Sequence, residues 1–153
     1  MSYETVALDE ENHALVIIDQ TKLPGQVKML HLTEQKDIWQ AIYLLQVRGA
    51  PAIGVAAGFG LYLAARRIQA DGFEDFYRQL HEAKEYLNSS RPTAVNLGWA
   101  IREMMRTALE HVHDTRGQML DALYERAVVI HEDDIAKCRA ISEYGLSLLK
   151  EGD

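Results

Sequence analysis

Cysteine is almost missing from this chain: Cys138 is the only thiol in 153 residues. That excludes an internal disulfide and suits a reducing compartment. Positive charge is scarce as well. Sixteen Lys and Arg face twenty-three Asp and Glu, for a net charge of −7. Such a balance argues against a general binder of nucleic acid or anionic membrane and leaves room only for a local basic pocket. The opening "MSYETVALDE" has no apolar core of the kind a secretion signal carries, so the expected location is cytoplasmic. No hydrophobic run is long enough to span a bilayer. The best candidate, Ala50–Ala65, falls short of the roughly 20 apolar residues required and reads as a buried helix.

What is present is the material of an ordinary folded domain, with 48% hydrophobic and 25% charged residues, enough to bury a core. The first part and the remainder follow different periods. "TVALDE", "ALVIIDQ" and "VKMLHL" are short, apolar and separated by turn formers in "ENH" and "TKLPGQ". They predict three strands of a small antiparallel sheet over about residues 4–32. From Thr33, a plausible N-cap, Ile38, Ala41, Ile42 and Leu45 recur at helical spacing. Further helices are expected over the glycine-rich run, from Phe73 to Leu87, from about Pro92 to His111, over Gly117–His131 and over Asp133–Lys150. The expected fold is therefore α+β and mainly helical. It is a single domain of residues 1–153, with the sheet followed by a bundle of about six helices over residues 33–150. The closing "LLKEGD" turns polar as a linker does, so the chain reads as the N-terminal part of a larger two-domain protein.

The glycine-rich helix poses the sharpest question. Gly54, Gly58 and Gly60 sit among alanines inside it, although each glycine costs a helix interior about 1 kcal/mol relative to alanine. Close approach by neighbouring helices is the compensation expected. At its mouth stand Arg48, Gly49, Ala50 and Pro51. Proline suits the first helical turn, and free N–H groups, the helix dipole and a guanidinium would converge there on an anion. "SSRPTAVNLGWAIREM" repeats the arrangement, with Arg91 directly before Pro92 and hydroxyls on Ser90 and Thr93. Two readings follow from spacing. Either both starts address one phosphate, or two surface arginines merely precede helix-starting prolines.

"VRGAPAIGVAAGFG" and "RPTAVNLGWA" resemble the two N-terminal signature segments of the methylthioribose-1-phosphate isomerases. These enzymes form a larger family with the regulatory subunits of the initiation factor two-B exchange factor. "IIDQTKLPGQVKMLHL" resembles the strands of the same isomerases, and the likeness extends over nearly the whole chain. The resemblance implies that Arg48, Gly49, Ala50 and Arg91 bind the phosphate of a pentose 1-phosphate. The implied reaction is aldose–ketose isomerisation in methionine salvage, by a homodimer, without a cofactor. It implies that the catalytic cysteine and aspartate belong to a C-terminal Rossmann-like domain, in segments such as Cys-Asn-(Thr/Ala)-Gly, and no such string occurs here. No catalytic residue is therefore expected in this chain. The alternatives are a non-catalytic module sensing a phosphorylated sugar or nucleotide, and a short degenerate paralogue serving as an interaction domain. A relative acting on a 5-deoxy or bisphosphorylated pentose is a variant of the isomerase reading.

Other chemistry-bearing residues read as structural. Cys138 has neither a glycine turn nor a histidine beside it in sequence and is expected to be packed or half-buried rather than nucleophilic. "HVHD" and "HEDD" read as solvated helix ends, since a metal site needs three or four converging ligands. "DGFEDF" reads as a helix N-terminal turn. Trp39 and Trp99 read as core or rim residues, not a base-stacking platform.

Overall fold

The computed structural model describes residues 4–149. Strands β1 (Val6–Asp9), β2 (Ala14–Ile18) and β3 (Met29–Leu32) form an antiparallel sheet in the order β1-β2-β3. The register places Val6 against Ile17 and Leu8 against Leu15, which in turn faces Leu32. Alternation along each strand puts these residues on one face, and Val6, Leu15 and Ile17 join the helical core there. The β1–β2 turn is held by Asp9, whose carboxylate accepts from the N–H and the side-chain amide of Asn12 at 3.0 and 2.8 Å.

Five helices follow: α1 (Gln35–Tyr43), α2 (Ala50–Arg67), α3 (Phe73–Ser89), α4 (Val95–Glu110) and α5 (Arg116–Leu146). The count is one lower than the sequence predicts because "HEDD" does not break the chain. It contains neither glycine nor proline, and Asp133 pairs with Lys137 one turn on, so α5 runs through it for 31 residues. The expected helix end at Lys150 and the polar tail beyond it lie outside the described residues. Thr33 is not the cap of α1; Glu34 occupies that position and its carboxylate grips Arg67 at the end of α2 with two hydrogen bonds of 2.6 and 2.8 Å.

Helix α2 is the axis. It touches every other helix and the first two strands, and every residue from Ile53 to Ala65 is buried. Its glycines serve different neighbours. A Cβ on Gly54 would lie 2.9 Å from the carbonyl oxygen of Asn96 in α4, one on Gly60 3.1 Å from Ile38 in α1, and one on Gly58 3.7 Å from Ile130 in α5. The other end of α2 is closed by Arg116, whose guanidinium donates to the carbonyls of Arg66 and Ile68, both at 2.8 Å. A cation on the last carbonyls complements the negative end of the helix.

Candidate anion site at the starts of two helices

The approach to α2 is built from the sheet side. After α1, Leu45 adopts a left-handed conformation (φ 59°), and the N–H groups of Gln46 and Val47 both return to the Ala41 carbonyl. Asp19, just past β2, is 1% exposed. Its carboxylate accepts from the hydroxyl and N–H of Thr21 at 2.6 and 3.0 Å and from the Gln46 side-chain amide at 3.1 Å. The Gln20 N–H donates to the Gln46 carbonyl at 3.0 Å. Burial pushes the Asp19 carboxyl up, but the Thr21 and Gln46 hydrogen bonds and the nearby Lys22 outweigh it and hold the carboxyl below the ordinary value. This network fixes the residues directly before Arg48. Sequence reasoning missed it; an Asp-Gln pair at a strand end was the visible signal.

Gly49 caps α2 at φ 94°, in the left-handed region where a side chain is strained. Pro51 stands in the first turn, and that turn has no acidic residue and no side-chain cap. Among the described residues no hydrogen bond takes up the N–H of Ala50 or Ala52. Arg48 is exposed, and its Nε donates only to the Leu45 carbonyl at 3.3 Å.

The second start departs from expectation. Pro92 is not the first residue of a helix, because α4 begins at Val95. Instead Arg91–Ala94 forms a turn closed by the Ala94 N–H on the Arg91 carbonyl at 3.0 Å, with Pro92 in the second position where its fixed φ is favoured. The hydroxyl of Ser90 is turned inward onto the Leu87 carbonyl at 2.6 Å. Arg91 is half-buried and, like Arg48, has no carboxylate partner within 4.0 Å among the described residues. The Gly54–Asn96 contact brings the N-terminal turns of α2 and α4 together. Beside that contact opens a cavity of about 310 Å³, walled by Pro51, Gly54, Asn96 and Trp99 on one side and by α5 on the other.

Cys138 is exposed on α5, not packed or half-buried as the sequence suggests, because the second half of α5 buries little, and it contributes to the far wall of the same cavity. Its thiol points at Asp134, Sγ to Oδ1 3.9 Å. His111 and Asp114 bond to each other at 2.6 Å where α4 ends. "HEDD" is mid-helix, with His131 edge-on to Phe59 at 5.4 Å between ring centroids. Gly72 caps α3, with Glu74 and Asp75 in its first turn. Trp39 is a rim residue, stacked on Tyr43 at 4.8 Å with its N–H donating to Ser89 at 2.9 Å. Trp99 is 44% exposed. No helix among the described residues is long and apolar enough to cross a membrane.

Comparison with known proteins agrees with this architecture. The sequence model of the Initiation factor 2 subunit family matches residues 46–153. The chain is 48% identical over 149 residues to the methylthioribose-1-phosphate isomerase of Symbiobacterium thermophilum, covering 97% of this chain and 42% of that one. It is 43% identical over 152 residues to the 5-deoxyribose 1-phosphate isomerase of Petrotoga mobilis, covering 99% and 44%. The crystal structure of 5-methylthioribose 1-phosphate isomerase from Pyrococcus horikoshii OT3 superposes with a TM-score of 0.90 at 34% identity, over 97% of this chain and 41% of that one. Subunit delta of the translation initiation factor eIF-2B from A. fulgidus gives 0.87 at 33% identity, over 99% and 43%. The chain thus spans about two fifths of the length of these relatives.

Proposed function

We infer that this chain, which belongs to the Initiation factor 2 subunit family, forms the phosphate-binding part of a sugar-phosphate isomerase. The reaction is the conversion of methylthioribose 1-phosphate to methylthioribulose 1-phosphate in methionine salvage. Arg48 and Arg91, with the N–H groups near Gly49 and Ala50, hold the C1 phosphate. The observation that carries the reading is the meeting of the α2 and α4 starts at Gly54 and Asn96, each preceded by an arginine free of carboxylates. A C1 phosphate blocks ring opening by the route open to a free hemiacetal, so the sugar must be held while hydrogen moves between C1 and C2. Holding and orienting is what this chain supplies. The groups that move hydrogen belong to a C-terminal Rossmann-like domain of the larger cytoplasmic, homodimeric protein.

The test is kinetic, in the longer polypeptide that carries this chain. Arg48→Ala or Arg91→Ala is expected to raise KM and to lower turnover, since the clamp sets the position of the reacting carbons. Each charge-assisted contact is worth about 1.5–3 kcal/mol. Arg48→Lys restores little if the contact is bidentate. Unchanged kinetics in both alanine variants overturns the assignment. The likeness to the A. fulgidus initiation-factor subunit favours a second reading, a module that binds a phosphorylated sugar or nucleotide without turnover. Tight binding with no isomerisation by the longer polypeptide would select it.

A further inference from the structure

Trp99 is the large apolar side chain that the phosphate site leaves unexplained. It is 44% exposed on α4, one turn after Val95, which is 78% exposed. Residues four apart share a helix face, and of the two it is Trp99 that lines the cavity between α2, α4 and α5, together with Pro51. Trp39 has an aromatic stack and a hydrogen bond for its N–H; among the described residues Trp99 has neither. The opposite wall carries charge of the wrong sign for a phosphate. Asp133 and Asp134 stand there, and Lys137 is tied to Asp133. Those acids disfavour an anion against α5 and leave the α2 start, where Pro51 and Gly54 line the cavity, as the end that suits a phosphate, with the indole of Trp99 left for an uncharged group.

We propose that Trp99, with Pro51, is the surface against which the apolar 5-substituent of the sugar phosphate packs, and that it sets preference for sugars lacking a 5-hydroxyl. This rests on the isomerase reading for its substrate class, pentose 1-phosphates with methylthio or hydrogen at C5. An apolar wall gains from a buried methylthio group and gains nothing from a hydroxyl that it leaves without a partner.

The two tryptophans make the experiment internally controlled. In amide-proton NMR of the chain, the indole N–H signals of Trp99 and Trp39 are followed during titration with inorganic phosphate, ribose 1-phosphate and methylthioribose 1-phosphate. All three ligands are expected to shift the amides of Gly49, Ala50 and Ala52. Only the methylthio sugar is expected to shift the Trp99 indole, with affinity about ten-fold above ribose 1-phosphate, while Trp39 stays still. Trp99→Ala is expected to erase that preference and keep the phosphate response; Trp99→Phe is expected to retain most of it. A preference unchanged in Trp99→Ala, or an indole shift equal for inorganic phosphate, overturns the proposal. Failure of the phosphate reading is separately visible. In that case the amides at the α2 start stay silent with every ligand, while a selective Trp99 shift still upholds the apolar wall. Silence of both signals overturns both.

Discussion

Asp19 shows how one buried residue can govern a surface site. Its carboxylate has three donors from Thr21 and Gln46, and Gln46 lies two residues before Arg48. Asp19→Asn puts an amide N–H against one of those donors and is expected to cost about 1–3 kcal/mol, the usual result of leaving a buried polar group unsatisfied. Because the folded pKa is depressed, the contribution is complete above the unfolded carboxylate value of about 4 and is lost as pH falls through the lower folded value. Urea midpoints of wild type and Asp19→Asn should therefore differ at pH 7 and draw together as pH falls below the ordinary carboxylate value of about 4. A gap that does not change with pH would mean that the carboxylate charge is irrelevant there. Gly49 is the second residue of this kind. At φ 94° any side chain is strained, so Gly49→Ala is expected to lose about 1–3 kcal/mol and to disturb the very amides assigned to phosphate.

At the scale of elements, the glycines of α2 separate into two classes that composition cannot distinguish. Gly54 meets backbone in α4, at 2.9 Å from a carbonyl oxygen, and backbone cannot swing aside. Gly54→Ala should overpack the crossing and destabilise by about 1–3 kcal/mol. Gly58 meets only the end of the Ile130 side chain at 3.7 Å, an ordinary contact. Gly58→Ala should be neutral or stabilising by up to about 1 kcal/mol, the helix-propensity gain, whereas Gly58→Leu should overpack against Ile130. Thermal or urea unfolding of the three variants gives the order directly, and equal losses in Gly54→Ala and Gly58→Ala would remove the distinction. The sheet, the burial of α2 and the amphipathic helices were legible because hydrophobic period and turn chemistry carry them locally. Helix ends were not. The "TRGQ" capping box, with Thr115 and Gln118 bonding each other's N–H groups, starts α5 one residue before the glycine where the pattern suggested it. The Arg91–Ala94 turn looks like a helix start in sequence because proline suits both. The Gly54–Asn96 contact and the Asp19–Gln46 bond join segments far apart in sequence, and no local pattern encodes them.

On the scale of the whole molecule, the distribution of exposed apolar surface bears on activity. Helix α5 buries Met119, Leu123, Ala127 and Ile130 in its first half, yet Ile141, Tyr144 and Leu146 in its second half are 72%, 76% and 67% exposed. The cavity beside the helix starts opens along that second half, so its apolar wall is incomplete and its charges face water. Open sites screen the attraction between guanidinium and phosphate, and they leave a bound sugar in contact with solvent. Residues 1–153 alone are therefore expected to fold and to bind sugar phosphates weakly, without isomerising methylthioribose 1-phosphate. Within this cavity Cys138 is the group that could contradict the expectation. Its thiol has the Asp134 carboxylate as partner, and among the described residues no hydrogen bond joins it to a histidine of the kind that activates a nucleophilic cysteine. The assay is NMR detection of the ketose with the purified chain, run beside Cys138→Ser. Turnover that disappears in Cys138→Ser would make that cysteine catalytic after all. Turnover that survives the substitution would place the chemistry in residues assigned here to binding and packing, and the division of labour between this chain and a second domain would have to be given up.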